Sequence, residues 1–171
     1  MDILLIYPPI FVNERYGNRC PWKVRGGDLP PLGIAYIAAF VRQNGFTVEI
    51  IDCPVIELGY TDILDKIAIL QPKVVGFSAI TCNFYRAIIL ARKIRERFPD
   101  ILILLGGHHA SILPIEVLSE NDCFDIVIYG EGEITVLELL QHYREYGFNL
   151  NNFLNDFKML NNITGIAFKK L

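Results

Sequence analysis

Lys73-Val74-Val75-Gly76-Phe77-Ser78-Ala79 and, twenty-odd residues on, Ile101-Leu102-Ile103-Leu104-Leu105-Gly106-Gly107 decide the fold of this chain. Both runs are almost continuously apolar rather than alternating, the pattern of strands covered on both faces of a parallel sheet. The stretch between them reads as a helix over 84–98. Ile88, Ala91 and Ile94 recur on one face, and Arg92, Lys93, Glu96 and Arg97 occupy the other. Strand, amphipathic helix and parallel strand make a βαβ unit.

The same alternation runs outward in both directions. Further strands are predicted over 3–7, 46–52 and 125–129, and further helices over 32–44, 61–70, 114–121 and 133–146. Gly45 and Gly147 stand where helices end, Pro31 and Pro114 where they begin, and Thr61 is read as an N-cap. The expected fold is α/β: a flavodoxin-like, Rossmann-like three-layer structure with a doubly wound parallel sheet of about five strands in the order 2-1-3-4-5. An extended segment follows at the C-terminus. The first helix is unusual in being apolar on every face, from Leu32 to Val41, which suits either burial under a loop or packing on a partner domain.

Two stretches break the rhythm. Residues 8–31 form a Pro-, Gly- and Asn-containing connection far longer than most βα loops, a feature more common in functional segments. Residues 149–162 are Asn-rich and read as a linker, after which 163–171 begins a new extended run. The expected organisation is one α/β domain over 1–147, then a linker and the start of a hairpin over 148–171 leading to a further domain.

Composition narrows the function. The chain has 171 residues, of which 52% are apolar and 20% charged, so it can bury enough surface to order itself. Its formal charge is -3, which gives no electrostatic reason to bind nucleic acid. No apolar run approaches the ~18 residues of a membrane span, and Asp2 stands where a signal peptide carries positive charge. A cytoplasmic protein is expected. Cys20, Cys53, Cys82 and Cys123 are scattered without a Cys-x-x-Cys pair, so no metal ligands are assigned.

Ligands of open parallel sheets bind beyond the carboxyl ends of the strands, where the strand order reverses. The residues that topology brings to that edge are Tyr7, Pro8 and Pro9 after the first strand, and Ser78, Ala79, Ile80 and Thr81 after the third. Gly106, Gly107, His108 and His109 follow the fourth, and Gly130 and Glu131 the fifth. No Gly-x-Gly-x-x-Gly or Walker loop follows the first strand, which disfavours dinucleotides and nucleoside triphosphates. The acids of a phosphoacceptor site are missing too: Asp2 comes too early, and Ser78 ends the third strand. No catalytic residue is assigned, and the segment by itself is not expected to be an enzyme.

Taken in order, Pro30-Pro31-Leu32-Gly33-Ile34-Ala35-Tyr36, Val75-Gly76-Phe77-Ser78, Gly106-Gly107-His108-His109-Ala110 and Gly130-Glu131-Gly132-Glu133 resemble the N-terminal cobalamin-binding domain of cobalamin-dependent radical S-adenosylmethionine proteins, the group also called Fe–S oxidoreductases. The resemblance runs from Ile3 to Phe168. It implies cobalamin as cofactor, with Ser78 and Ile80 lining its nucleotide tail, the tail passing Gly106 and Gly107, and His109 in a position where that family commonly has histidine. The Gly130–Glu133 turn is implied to be structural first.

The resemblance also implies a function: a cobalamin-binding module of a larger methyltransferase or anaerobic oxidative cyclase. The 4Fe–4S cluster and S-adenosylmethionine would belong to a radical domain elsewhere in the full-length protein, since this sequence has no Cys-x-x-x-Cys-x-x-Cys. Tyr7-Pro8-Pro9 stands where methionine-synthase-type modules carry Asp-x-His-x-x-Gly, so the implied cofactor state is base-off and His-off. Two alternatives stay open. One is a non-enzymatic docking domain that has lost cobalamin. The other is a flavin binder that uses Trp22 and tyrosines for stacking, although no phosphate-cradling loop follows the first strand.

Overall fold

The computed structural model describes residues 1–9, 30–56 and 58–169. Most of the long connection expected over 8–31, with Cys20 and Trp22 in it, lies outside the described residues. The strands are β1 (Ile3–Tyr7), β2 (Val48–Asp52), β3 (Val74–Ser78), β4 (Leu102–Gly106), β5 (Ile126–Ile128) and β6 (Ile166–Phe168). The longer helices are α1 (Leu32–Gln43), α3 (Tyr60–Leu70), α4 (Phe84–Arg97), α6 (Pro114–Glu120) and α7 (Glu133–Glu145). Four short ones complete the described residues: α2 (Cys53–Ile56), α5 (His108–Ile112), α8 (Leu150–Asn155) and α9 (Phe157–Leu160).

The sheet order is β2-β1-β3-β4-β5-β6. The first five strands are parallel in the expected 2-1-3-4-5 order, and β6 adds to β5 antiparallel, with Ile128 opposite Ile166. Side-chain alternation divides the core in two. Leu4, Ile6, Val75, Phe77, Ile103 and Leu105 point to one face, where Ile63 and Ile67 of α3 and Leu90, Ala91 and Ile94 of α4 cover them. Ile3, Leu5, Val74, Leu102, Leu104 and Ile126 point to the other, beneath Ile34, Ala38 and Val41 of α1 and Leu139, Leu140 and Tyr143 of α7.

Three sequence expectations are corrected. Thr61 is not the N-cap of α3: it lies inside the helix, and the Gly59 amide donates to the Asp62 carboxylate at 3.0 Å instead. Residues 149–162 are not an extended linker. Asn149 caps α8 by accepting from the Asn152 amide (2.9 Å), and Asp156 caps α9 by accepting from the Met159 amide (2.9 Å). Phe153 and Leu160 are thereby buried completely against α7. The extended run 163–171 contributes β6, paired within this sheet. Helix α1 turns one side inward yet leaves Leu32 and Tyr36 62% and 65% exposed.

Candidate functional site

Helices α1 and α7 lie on one face, while α3 and α4 lie on the other. Strand order therefore reverses between β1 and β3. At the carboxyl ends of β1, β3, β4 and β5 the N-terminal turns of α1 and α7 leave a cleft of about 790 Å³. That volume falls among small-molecule sites, which run roughly 300–1,000 Å³. Its floor is Leu5, Gly76, Leu104 and Ile128; one wall is Pro30 to Ile37 and the other Gly130 to Val136.

Glycines open this space in two ways. Among the described residues, Gly33, in the first turn of α1, has nothing within 4 Å of where a Cβ would stand. Gly76 leaves room on the floor that Leu5 partly closes, its Cδ2 lying 2.9 Å from the missing Cβ. Gly107 does something else. At φ 94° and ψ 179° it holds a backbone conformation that is essentially glycine's own. A Cβ there would stand 2.5 Å from the Ala79 carbonyl oxygen and 2.8 Å from the Ala79 nitrogen. Gly107 fastens the β4 turn to the β3 turn, where the Ala79 amide donates to Gly106 (2.9 Å) and the His109 amide to Ala79 (3.3 Å).

Of the residues proposed from sequence, Tyr7, Ser78, Ile80, Gly106, Gly107, His108, Gly130 and Glu131 line the cleft. Five do not. Pro8 and Pro9 are buried in the turn after β1, and the Pro8 carbonyl accepts from Asn83 Nδ2 at 3.3 Å. Ala79 is fully buried on the opposite core face, since β-alternation sends it away from Ser78. Thr81 and His109 meet each other on that side (3.3 Å), with the His109 ring tilted over Phe84 at 4.0 Å. His108, one position earlier on α5, faces the cleft mouth because neighbouring helical residues diverge by about 100°.

Sequence reading missed three contributors. Gly33 and Ser111 line the cleft, and Ser111 Oγ accepts from the Gly130 amide at 3.1 Å, joining the β4 and β5 turns. Asn83 is fully buried; its side-chain oxygen accepts from the Ile80 amide at 2.8 Å while its amide holds Pro8, so it sets the turns after β1 and β3 together. An Asn just before a helical run is the signal that marks such a turn.

The family described as the B12 binding domain matches residues 20–140. The chain belongs to it. The B12-binding domain is 34% identical over 140 residues to an uncharacterized methyltransferase, PH0819, of Pyrococcus horikoshii, a match covering 82% of this chain and 29% of the relative. It is 35% identical over 115 residues to the anaerobic magnesium-protoporphyrin IX monomethyl ester cyclase of Rubrivivax gelatinosus, covering 67% of this chain and 21% of that one. The domain thus spans under a third of these relatives' lengths. In fold it resembles TsrM of Kitasatospora setae, a radical S-adenosylmethionine methyltransferase solved with cobalamin and a 4Fe–4S cluster bound: TM-score 0.70 at 17% identity, over 99% of this chain and 29% of that one.

The residues present suit the tail of such a cofactor. Among the described residues the floor is apolar, no side chain fills the space above Gly33, and the polar lining lies at the mouth at Tyr7, Ser78, His108, Ser111, Glu131 and Glu133. Among the described residues no cluster of His, Cys, Asp or Glu is placed to hold a metal ion. No described helix is long and apolar enough to cross a membrane.

Proposed function

We propose that this domain binds cobalamin at the carboxyl edge of its sheet, with the nucleotide tail in the cleft, as the cofactor module of a cytoplasmic radical S-adenosylmethionine enzyme. The observation that carries the reading is the glycine-walled, apolar-floored cleft at the strand-order reversal in a B12-binding chain. Ser78, Gly106 and Ile80 would flank the tail, and Tyr7, His108, Gly130 and Glu131 would border its entrance. Bound cobalamin supplies a cobalt centre able to carry a methyl group or change oxidation state; the domain binds and orients it.

Base-off, His-off binding is part of the same proposal. The chain has three histidines, His108, His109 and His142, and none follows β1. His109 is engaged by Thr81 and Phe84 away from the cleft, and His142 lies in the last turn of α7. The rest of the proposal concerns the full-length protein: methyl transfer to an unreactive carbon or phosphorus, or oxygen-independent ring formation, carried out with a radical domain over the cofactor. Exposed Leu32, Tyr36 and Ile134 near the cleft mouth suit such a covering domain. Electron paramagnetic resonance of the protein loaded with cob(II)alamin tests the cofactor state. Cobalt lines without nitrogen splitting are expected. A nitrogen triplet, or loss of all cofactor on desalting, would count against the reading.

A further inference from the structure

His108 and Ser111 stand one helical turn apart on α5, and both line the cleft. The backbone that carries them is tied down at both ends. Gly107 is fastened to the β3 turn, and the Ser111 amide donates to the Gly107 carbonyl at 3.0 Å. Ser111 Oγ in turn accepts from the Gly130 amide at 3.1 Å. The two histidines of this helix differ in how their rings are used. His109 is held by Thr81 and Phe84, whereas no hydrogen bond, ion pair or ring contact with the described residues engages the exposed His108 ring. Among the described residues that line the cleft, His108 is also the one whose side chain can carry positive charge.

We propose that the His108 imidazole binds the phosphodiester of the cofactor's nucleotide tail. The proposal rests on the cobalamin reading above and deepens it by giving that group a partner. The phosphodiester that joins the nucleoside to the corrin side carries a full negative charge, and a charge that loses water needs donors in its place. Glu131 of the β5 turn and Glu133 of α7 face the same mouth and would repel it, as does no part of the uncharged Tyr7 hydroxyl. The imidazole is then the charged group suited to meet it. A ring N–H can donate to a phosphate oxygen, and such bonds to ionised groups are roughly twice as strong as neutral ones. Its place agrees: His108 comes two residues after Gly106, which flanks the tail in that reading, so the ring stands at the edge of the cleft rather than on its floor.

The test titrates wild-type protein, His108→Ala and His108→Lys with three corrinoids. These are cobalamin, cobinamide phosphate, which keeps the phosphate without the nucleoside, and cobinamide, which has neither. His108→Ala is expected to weaken cobalamin and cobinamide phosphate about tenfold each, some 1.4 kcal/mol, and to leave cobinamide within about twofold of wild type. His108→Lys returns a positive charge and N–H donors without a ring, and should restore both phosphate-bearing probes. Melting temperatures of both variants should match wild type, because the ring is exposed.

A loss of less than about threefold for cobalamin in His108→Ala overturns the inference while leaving cobalamin binding intact. So does a loss confined to cobalamin, which would assign the ring to the nucleoside, or an equal loss for all three probes, which would assign it to the corrin or to the fold. Should the base-free probes bind wild type too weakly to titrate, cobalamin decides alone: recovery with lysine supports the inference, and failure of lysine to recover the loss overturns it. If cobalamin itself does not bind wild-type protein, the cobalamin reading fails, and the inference with it.

Discussion

Replacing Gly107 by alanine should damage the fold before it reports on any ligand. At φ 94° and ψ 179° the backbone is in a region that costs a non-glycine residue roughly 1–3 kcal/mol. The new Cβ would also stand 2.5 Å and 2.8 Å from backbone atoms of Ala79, which belong to a buried turn and have no side-chain rotamer to relax through. Moving that turn stretches the Ala79–Gly106 and His109–Ala79 hydrogen bonds, each contributing about 1 kcal/mol. Together these give a loss of about 3–5 kcal/mol, or a drop in melting temperature on the order of 10 °C for a chain of this size. At Gly106 the nearest atoms to an added Cβ are 3.7 Å and 3.8 Å away, so alanine there should cost no more than about 1 kcal/mol. Thermal and urea denaturation of the two variants makes the comparison. A Gly107→Ala protein melting within about 2 °C of wild type would refute the strain and contact reasoning together.

Other consequences are open to measurement. Phe153→Ala should destabilise by about 3 kcal/mol, because that ring is fully buried 4.8 Å from Tyr143; a linker position would cost almost nothing. Asn83→Ala should cost about 2 kcal/mol in urea denaturation, since it strips the Ile80 amide and the Pro8 carbonyl of a buried partner at once. The Tyr146 hydroxyl beside Asp156, followed by the Met159 amide, holds the Asp156 carboxyl below its ordinary value of 3.8. The stability this contributes is present above pH 3.8 and lost as pH falls through the lower folded value. Acid titration of wild type against Asp156→Asn should show that loss in the wild type alone.

The sheet was legible because five aliphatic runs of strand length alternate with helical periodicity, and each strand lies where its run of residues predicts. Helix α5 was not, since in five residues it buries Ala110 alone and so has no periodic signature. The C-terminal helices were hidden by composition. Asparagines that suggest a linker are there caps and exposed faces, and the decisive signal was the pair Phe153 and Leu160 following Asn149 and Asp156. At the site, topology located the edge but not the side-chain directions. Ser78 and Ala79, or His108 and His109, are neighbours in sequence yet lie on different sides of the turn, and that depends on where β3 ends and α5 begins. The glycine pair reads as one feature in sequence, whereas a Cβ at Gly106 would meet only ordinary contacts and Gly107 locks two turns together.

Calorimetric titration of wild-type protein and Gly33→Leu with hydroxocobalamin tests the assigned cleft most directly. Leucine at that position meets no atom of the described residues within 4 Å of its Cβ, suits a helix better than glycine by about 0.5–1 kcal/mol, and projects into the cleft wall. Saturable binding of one cofactor per wild-type chain is expected, with affinity at least tenfold lower in Gly33→Leu and an unchanged or higher melting temperature. Equal affinity in the two proteins would place the cofactor elsewhere, and no saturable binding by wild type would contradict the assignment outright.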